Sequence, residues 1–146
     1  MALPRAHALA RTGGKGERPL LLRHLARETF ILYGPPGTGL RELTIEACRA
    51  AGFSPRAGQE APRIASTLSL VAVGLGISLV PASLRHLYVD GVVYRRLDGP
   101  IQPKAPLDLA SRHGDPSVVV RHFLTLVRQA AKNSRFDESE RRGRTP

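Results

Sequence analysis

The chain has 146 residues, 42% of them hydrophobic, and a formal charge of +10, which excludes a disordered polyelectrolyte and suggests one domain or parts of two. Cys48 is the single cysteine, so no intramolecular disulfide can form and a reducing compartment fits best. No apolar run is long enough to span a bilayer, and the opening MALPRAHALARTGGKGERP has no apolar signal-peptide centre, so a cytoplasmic protein without membrane contact is expected.

In chain order, RTGGKGERP at 11–19 reads as a loop. Leu21, Leu22 and Leu25 can make a short helical turn. Phe30-Ile31-Leu32-Tyr33 is a short apolar run halted by Gly-Pro-Pro-Gly, the pattern of a buried strand and a turn. A helix is predicted from Thr38 or Gly39. Leu40, Leu43 and Ala47 share its apolar face, Thr38 can cap its start, and Gly52 sits where a left-handed residue would end it. A second helix is predicted from about Pro62 to Val73 on the period of Ile64, Leu68 and Val71, ended by Gly74. Gly76 to Pro81 reads as a strand closed by proline. Val92–Leu97 and Pro106–Ala110 read as two more. Asp115-Pro116 is a helix start, with Val119, Phe123, Leu126, Val127 and Ala130 on one face. After Lys132 the composition turns polar and charged, as in a disordered tail. Strands alternating with helices indicate an α/β fold with a largely parallel sheet.

The charge sits mainly at the ends. Residues 1–27 hold six positive charges and one negative, and residues 132–146 hold five and three. Basic ends attract nucleic acid non-specifically. Solvated arms are the simpler reading, because no aromatic side chains interleave with the arginines to stack bases.

Gly34 to Gly39, in the stretch YGPPGTGLRE, is G-x-x-x-x-G between a strand and a helix, the opening of a phosphate-binding loop. Its chemistry is missing. Lys and then Ser or Thr should follow the last glycine, to reach the phosphates and to hold magnesium. Leu40 and Arg41 stand there instead, and guanidinium has no lone pair for a metal. Leu40 also fits the helix's buried stripe. What remains is a glycine turn with free backbone N–H groups at a helix N-terminus, beyond the carboxyl ends of strands, where open α/β sheets bind ligands.

The five histidines show no metal-ligand spacing. Ser78 and Ser83 lack a nucleophile-elbow setting. No carboxylate pair stands out as acid and base. Cys48 reads as a small core residue. Neither an enzyme nor a bound cofactor is expected from these residues.

The block from Gly52 to Leu87 carries a more specific signal. Ala51-Gly52-Phe53-Ser54-Pro55, Gln59-Glu60, Leu70-Val71-Ala72-Val73-Gly74-Leu75-Gly76 and Leu79-Val80-Pro81 recur in this order in LysR-type transcriptional regulators. The opening ALPRAHALA, with Ala8 at a usual proline position, and ETFILY fit the same pattern. The chain thus resembles the effector-binding domain of that family over residues 2 to about 131.

The resemblance implies a fold like the type 2 periplasmic binding proteins, in which two α/β lobes close on a small molecule. Residues 1–10 would be a crossover and residues 11–90 the second lobe. Residues 91–131 would be the return crossover with the last strand and helix of the first lobe, and residues 132–146 the tail. The helix-turn-helix, the linker helix and the first half of lobe one have no counterpart, so DNA would be reached only through a missing N-terminal domain. The effector contacts implied by position are Tyr33, Gly34, Glu60, Ala61, Pro62 and Pro81. Packing serves equally well for Tyr33 and Pro81, a hinge role for Glu60, and shaping of the helix entry for Ala61 and Pro62. Helix N-termini beside a mostly neutral wall favour a small organic acid. Phe123 and Leu126, without their lobe, favour a homo-oligomer. The rival readings are a solute receptor or a dehydratase-like enzyme of the same lobe fold, a P-loop nucleotide-binding protein, and a basic nucleic-acid-binding fragment.

Overall fold

The computed structural model describes residues 1–10, 20–106 and 108–142; the loop expected at 11–19, Leu107 within an expected strand, and 143–146 lie outside the described residues. The chain forms two compact units, Met1–Pro106 and Leu107–Pro146.

The first unit is built on short strands. In chain order they are β1 (Ala2–Pro4), β2 (Thr29–Tyr33), β3 (Arg56–Ala61) and β4 (Val92–Tyr94), with helices α1 (Gly39–Ala50) and α2 (Ile64–Ala72) between them. β2 is the apolar run FILY, buried on both faces as parallel strands usually are: Phe30, Ile31 and Leu32 are all but inaccessible. It pairs in parallel with β3, Thr29 opposite Arg56 and Tyr33 opposite Ala61, with an irregularity between Phe30 and Ile31. β1 and β4 pair antiparallel, Ala2 opposite Tyr94 and Pro4 opposite Val92.

The strand expected over Gly76–Pro81 is reduced to two bridging residues. Ile77 pairs in parallel with Phe30, and Ser78 pairs antiparallel with Ala2. The hydrogen bonds are short: the Ile31 N–H donates to Ile77 O at 2.8 Å, the Ile77 N–H to Thr29 O at 2.9 Å, and the Ala2 N–H to Ser78 O at 2.8 Å. The chain here changes from a parallel to an antiparallel neighbour within one step, so neither ladder can lengthen. The spatial order is therefore β3, β2, Ile77–Ser78, β1, β4.

Period-2 alternation sends β2 side chains to two cores. Phe30 and Leu32 join Leu25, Cys48 and Ile77 on one side, while Ile31 joins Ala2, Leu68, Val71 and Val92 on the other. Phe53 packs on Phe30 with ring centroids 6.1 Å apart. The buried face of α1 is Thr44, Ala47 and Cys48. Leu40 and Leu43, expected on it, are only half-buried because the stripe is rotated by one residue.

Both helices end as the sequence predicts. The Gly52 N–H donates to Arg49 O and the Phe53 N–H to Cys48 O; Gly74 and Leu75 repeat this onto Val71 O and Leu70 O. These are paired Schellman closures, and they require the positive φ of Gly52 (+89°) and Gly74 (+81°). The second helix is shorter than predicted, since Arg63, its N-cap, stays extended and the helix begins at Ile64.

Ser78 is buried at the junction of the two ladders, and its hydroxyl donates to Ile31 O at 2.8 Å. Replacing it by alanine removes a hydrogen bond that crosses between strands. Ser78→Ala should cost about 1 kcal/mol in urea unfolding, with an unchanged m-value.

In the second unit, the helix signal at Asp115-Pro116 acts two residues later than expected. Asp115 Oδ1 accepts the Ser117 N–H at 2.9 Å, and Ser117 Oγ accepts the Val120 N–H at 3.4 Å. Ser117 thus caps α3 (Val118–Arg142). The helix continues past Lys132, where the composition suggested that a tail begins, because no glycine or proline interrupts it before Gly143. Val119, Phe123 and Leu126 on α3 are exposed. No strand is described over 106 and 108–110.

Candidate functional site

Parallel pairing of β2 and β3 brings their carboxyl ends together, and the glycine turn grows from that edge. The Gly34 N–H donates to Ala61 O at 2.9 Å, extending the ladder one residue beyond Tyr33. Gly34 has φ +87°, and a Cβ there would lie 2.5 Å from Thr38 Oγ1. The turn therefore needs glycine for both conformation and space.

The turn is tied by its own side chains. Thr38 does not cap α1 with its hydroxyl, as expected, because that hydroxyl donates to Pro35 O at 2.7 Å. The first-turn carboxylate acts instead: Glu42 Oε1 accepts the Gly37 N–H at 3.0 Å. A carboxylate in the first turn also complements the helix dipole.

Of the residues expected to meet an effector, Tyr33, Gly34, Glu60 and Ala61 are brought together by the β2–β3 register and the Gly34–Ala61 bond. Tyr33 is half-buried, Gly34 and Ala61 are buried, and Glu60 is exposed. Pro62 follows on the surface, ahead of α2. Pro81, half-buried, opens the turn Ala82–His86 three residues past Ser78. Among the described residues no bond joins it to the other five.

Sequence reasoning passed over Arg41, treating it only as a residue that cannot hold magnesium. Its Nη1 lies 2.6 Å from Glu60 Oε1, with the two side chains 13% and 51% exposed. The contact is ionic by distance but misaligned, so the same buried Nη1 lacks a hydrogen-bond acceptor.

Elsewhere the described residues offer little reactive chemistry. Burial pushes the Cys48 thiol up to about 11, so no nucleophilic thiolate forms near neutrality. His7 is held between the Leu9 N–H, which donates to its Nδ1 at 3.1 Å, and Glu28, 3.3 Å from its Nε2. Among the described residues no group of three His, Cys, Asp or Glu could hold a metal ion. No described helix is long and apolar enough to cross a membrane.

The chain resembles known proteins. A family model, the LysR substrate binding domain, matches residues 1–132. The HTH-type transcriptional regulator CatR of Pseudomonas putida is 35% identical over 133 residues, which are 89% of this chain and 43% of CatR. The regulator AlsR of Bacillus subtilis is 35% identical over 127 residues, covering 86% and 40%. The chain therefore spans about two-fifths of the length of these relatives. Among solved structures, the BenM effector binding domain with its effector benzoate is 28% identical, with a TM-score of 0.59 over 68% of this chain and 44% of that one. Full-length BenM gives a TM-score of 0.60 over 68% and 32%.

Proposed function

The chain belongs to the LysR substrate binding domain family, and we propose that it is the effector-sensing part of a transcriptional regulator, acting by binding a small molecule rather than by catalysis. The α/β fold is that of the type 2 periplasmic binding proteins, as its structural neighbours are. Residues 1–10 would then be one crossover and residues 91–131 the return crossover with the last strand and helix of the first lobe, with the second lobe between them. Their antiparallel pairing, β1 on β4, supports that division.

The observation that carries the site is the tie between Gly34 and Ala61 at the carboxyl ends of two parallel strands. In open α/β sheets this is where ligands bind. Tyr33, Gly34, Glu60, Ala61, Pro62 and Pro81 are proposed to form one wall of the cleft, with Tyr33 as a flat apolar surface. The ligand class is a small organic acid, in keeping with the benzoate named for the BenM domain. Binding would shift the population of lobe angles, and the regulator would pass that shift to a DNA-binding part outside the matched segment. A cytoplasmic setting follows from that role. Self-association through the exposed Val119, Phe123 and Leu126 belongs to the same proposal.

A melting series tests the reading. The chain is heated with benzoate, other aromatic acids, aliphatic acids, amino acids and Mg–ATP. A ligand that binds only the folded state raises Tm, by about 10 °C at about a hundred times its Kd. A shift with an organic acid and none with Mg–ATP is expected. A shift with Mg–ATP alone would restore nucleotide binding and defeat the sensor reading.

A further inference from the structure

We propose that Arg41 is a specificity-determining residue of this site, an anchor for a ligand carboxylate that Glu60 occupies until the ligand displaces it. The inference rests on the effector-sensing reading above and adds the regulation of its site.

The two partners of the pair are unequal. Arg41 is 13% exposed, held in the first turn of α1, whereas Glu60 is 51% exposed. A displaced Glu60 carboxylate recovers its hydration with little movement. Arg41 stays in place, always charged, with five N–H donors set in a plane. Its present partner uses them poorly: Nη1 touches Glu60 Oε1 at 2.6 Å but is misaligned for a hydrogen bond and has no other acceptor among the described residues. A free carboxylate can align on the guanidinium fork in two parallel bonds, as a side chain tethered to β3 does not.

The location fits. Glu60 is opposite Leu32, one step before the Tyr33–Ala61 pair that ends the ladder. Glu60 shares the face of Leu32, which α1 covers, while Tyr33 shares the face of Ile31, so a ligand carboxylate on Arg41 would lie on the α1 side of the ladder's end. The nearby first-turn carboxylate, Glu42, is engaged by the Gly37 N–H and does not compete for Arg41. Glu60 thus sets a threshold: it excludes weak anions and admits a carboxylate that aligns on Arg41 better than Glu60 does.

The test is acetate titration of the full chain, followed on the side-chain N–H signals of Arg41 by NMR. Acetate is small enough to reach the guanidinium whatever the natural effector is. In Glu60→Gln, acetate should move the Arg41 signal at about fivefold lower concentration than in the parent, since a half-exposed ion pair contributes little beyond that factor. In Arg41→Gln, benzoate should lose its advantage over neutral benzamide. If acetate leaves Arg41 unmoved in Glu60→Gln, or if the two chains titrate alike, the pair is structural and the proposal falls. The melting series judges the sensor reading separately, because it scores any ligand, charged or neutral.

Discussion

Phe30→Ala should destabilise the first unit by about 3–5 kcal/mol and leave it largely unfolded at moderate urea. Phe30 is fully buried at the middle of the unit, and it connects elements far apart in sequence. Its ring meets Phe53, which follows the end of α1, and its backbone pairs with Ala57 of β3 and with Ile77. Truncation leaves a cavity between strand and helix that neighbours with little freedom cannot fill. The magnitude is a large share of the stability usual for a domain of this size. Urea unfolding followed by circular dichroism reads it directly. Phe30→Leu, which keeps most of the volume, should recover more than half of the loss. Equal losses for the two substitutions would show that no tight core exists there.

Gly76→Ala is the second large effect, expected at about 3 kcal/mol although it adds one methyl group. A Cβ at residue 76 would lie 2.6 Å from Thr29 O and 3.2 Å from Ile31 Cγ1. The nearer atom is backbone and cannot rotate away. Relief requires residues 76–78 to move off β2, breaking the Ile77–Thr29 and Ile31–Ile77 hydrogen bonds. Amide exchange at Ile31 and Ile77 should then quicken relative to β3. Gly74→Ala gives a contrast. A Cβ at Gly74 meets nothing within 4 Å, so its cost comes only from the left-handed backbone, at about 1 kcal/mol. If Gly76→Ala proved as mild as Gly74→Ala, the close approach of the two chains would be wrong.

Much of the fold was readable because local signals and burial agreed. The FILY run, the two glycine stops and the spacing of Ile64, Leu68 and Val71 each point to one outcome by simple steric or periodic rules. The strand at Gly76–Pro81 was over-read because its pattern carries burial, not pairing; Ile77 and Ser78 bridge to neighbours of opposite sense. β1 was not read as a strand at all. Ala2-Leu3-Pro4 has no propensity to be one and owes its form to Val92–Tyr94, more than eighty residues away. At the candidate site, the glycine requirement at Gly34 was implied by its turn. The Arg41–Glu60 pair was not, because it depends on how far α1 rotates over the end of β3, which no local pattern encodes.

The pairing of β1 with β4 has a mechanical consequence. The chain enters this ladder at Met1 and leaves it at Arg95, and the two residues face each other, bonded by the Arg95 N–H to Met1 O at 2.8 Å. Entry and exit are thus at the same end of an antiparallel pair. A pull between whatever precedes Met1 and whatever follows Arg95 would load the ladder as a zipper, one hydrogen-bonded pair at a time, and not in shear along its length. A zipper yields at low force and recloses readily. Because Leu3 shares the cluster of Phe30 and Ala2 and Val92 share that of Ile31, opening the ladder would be felt in both cores.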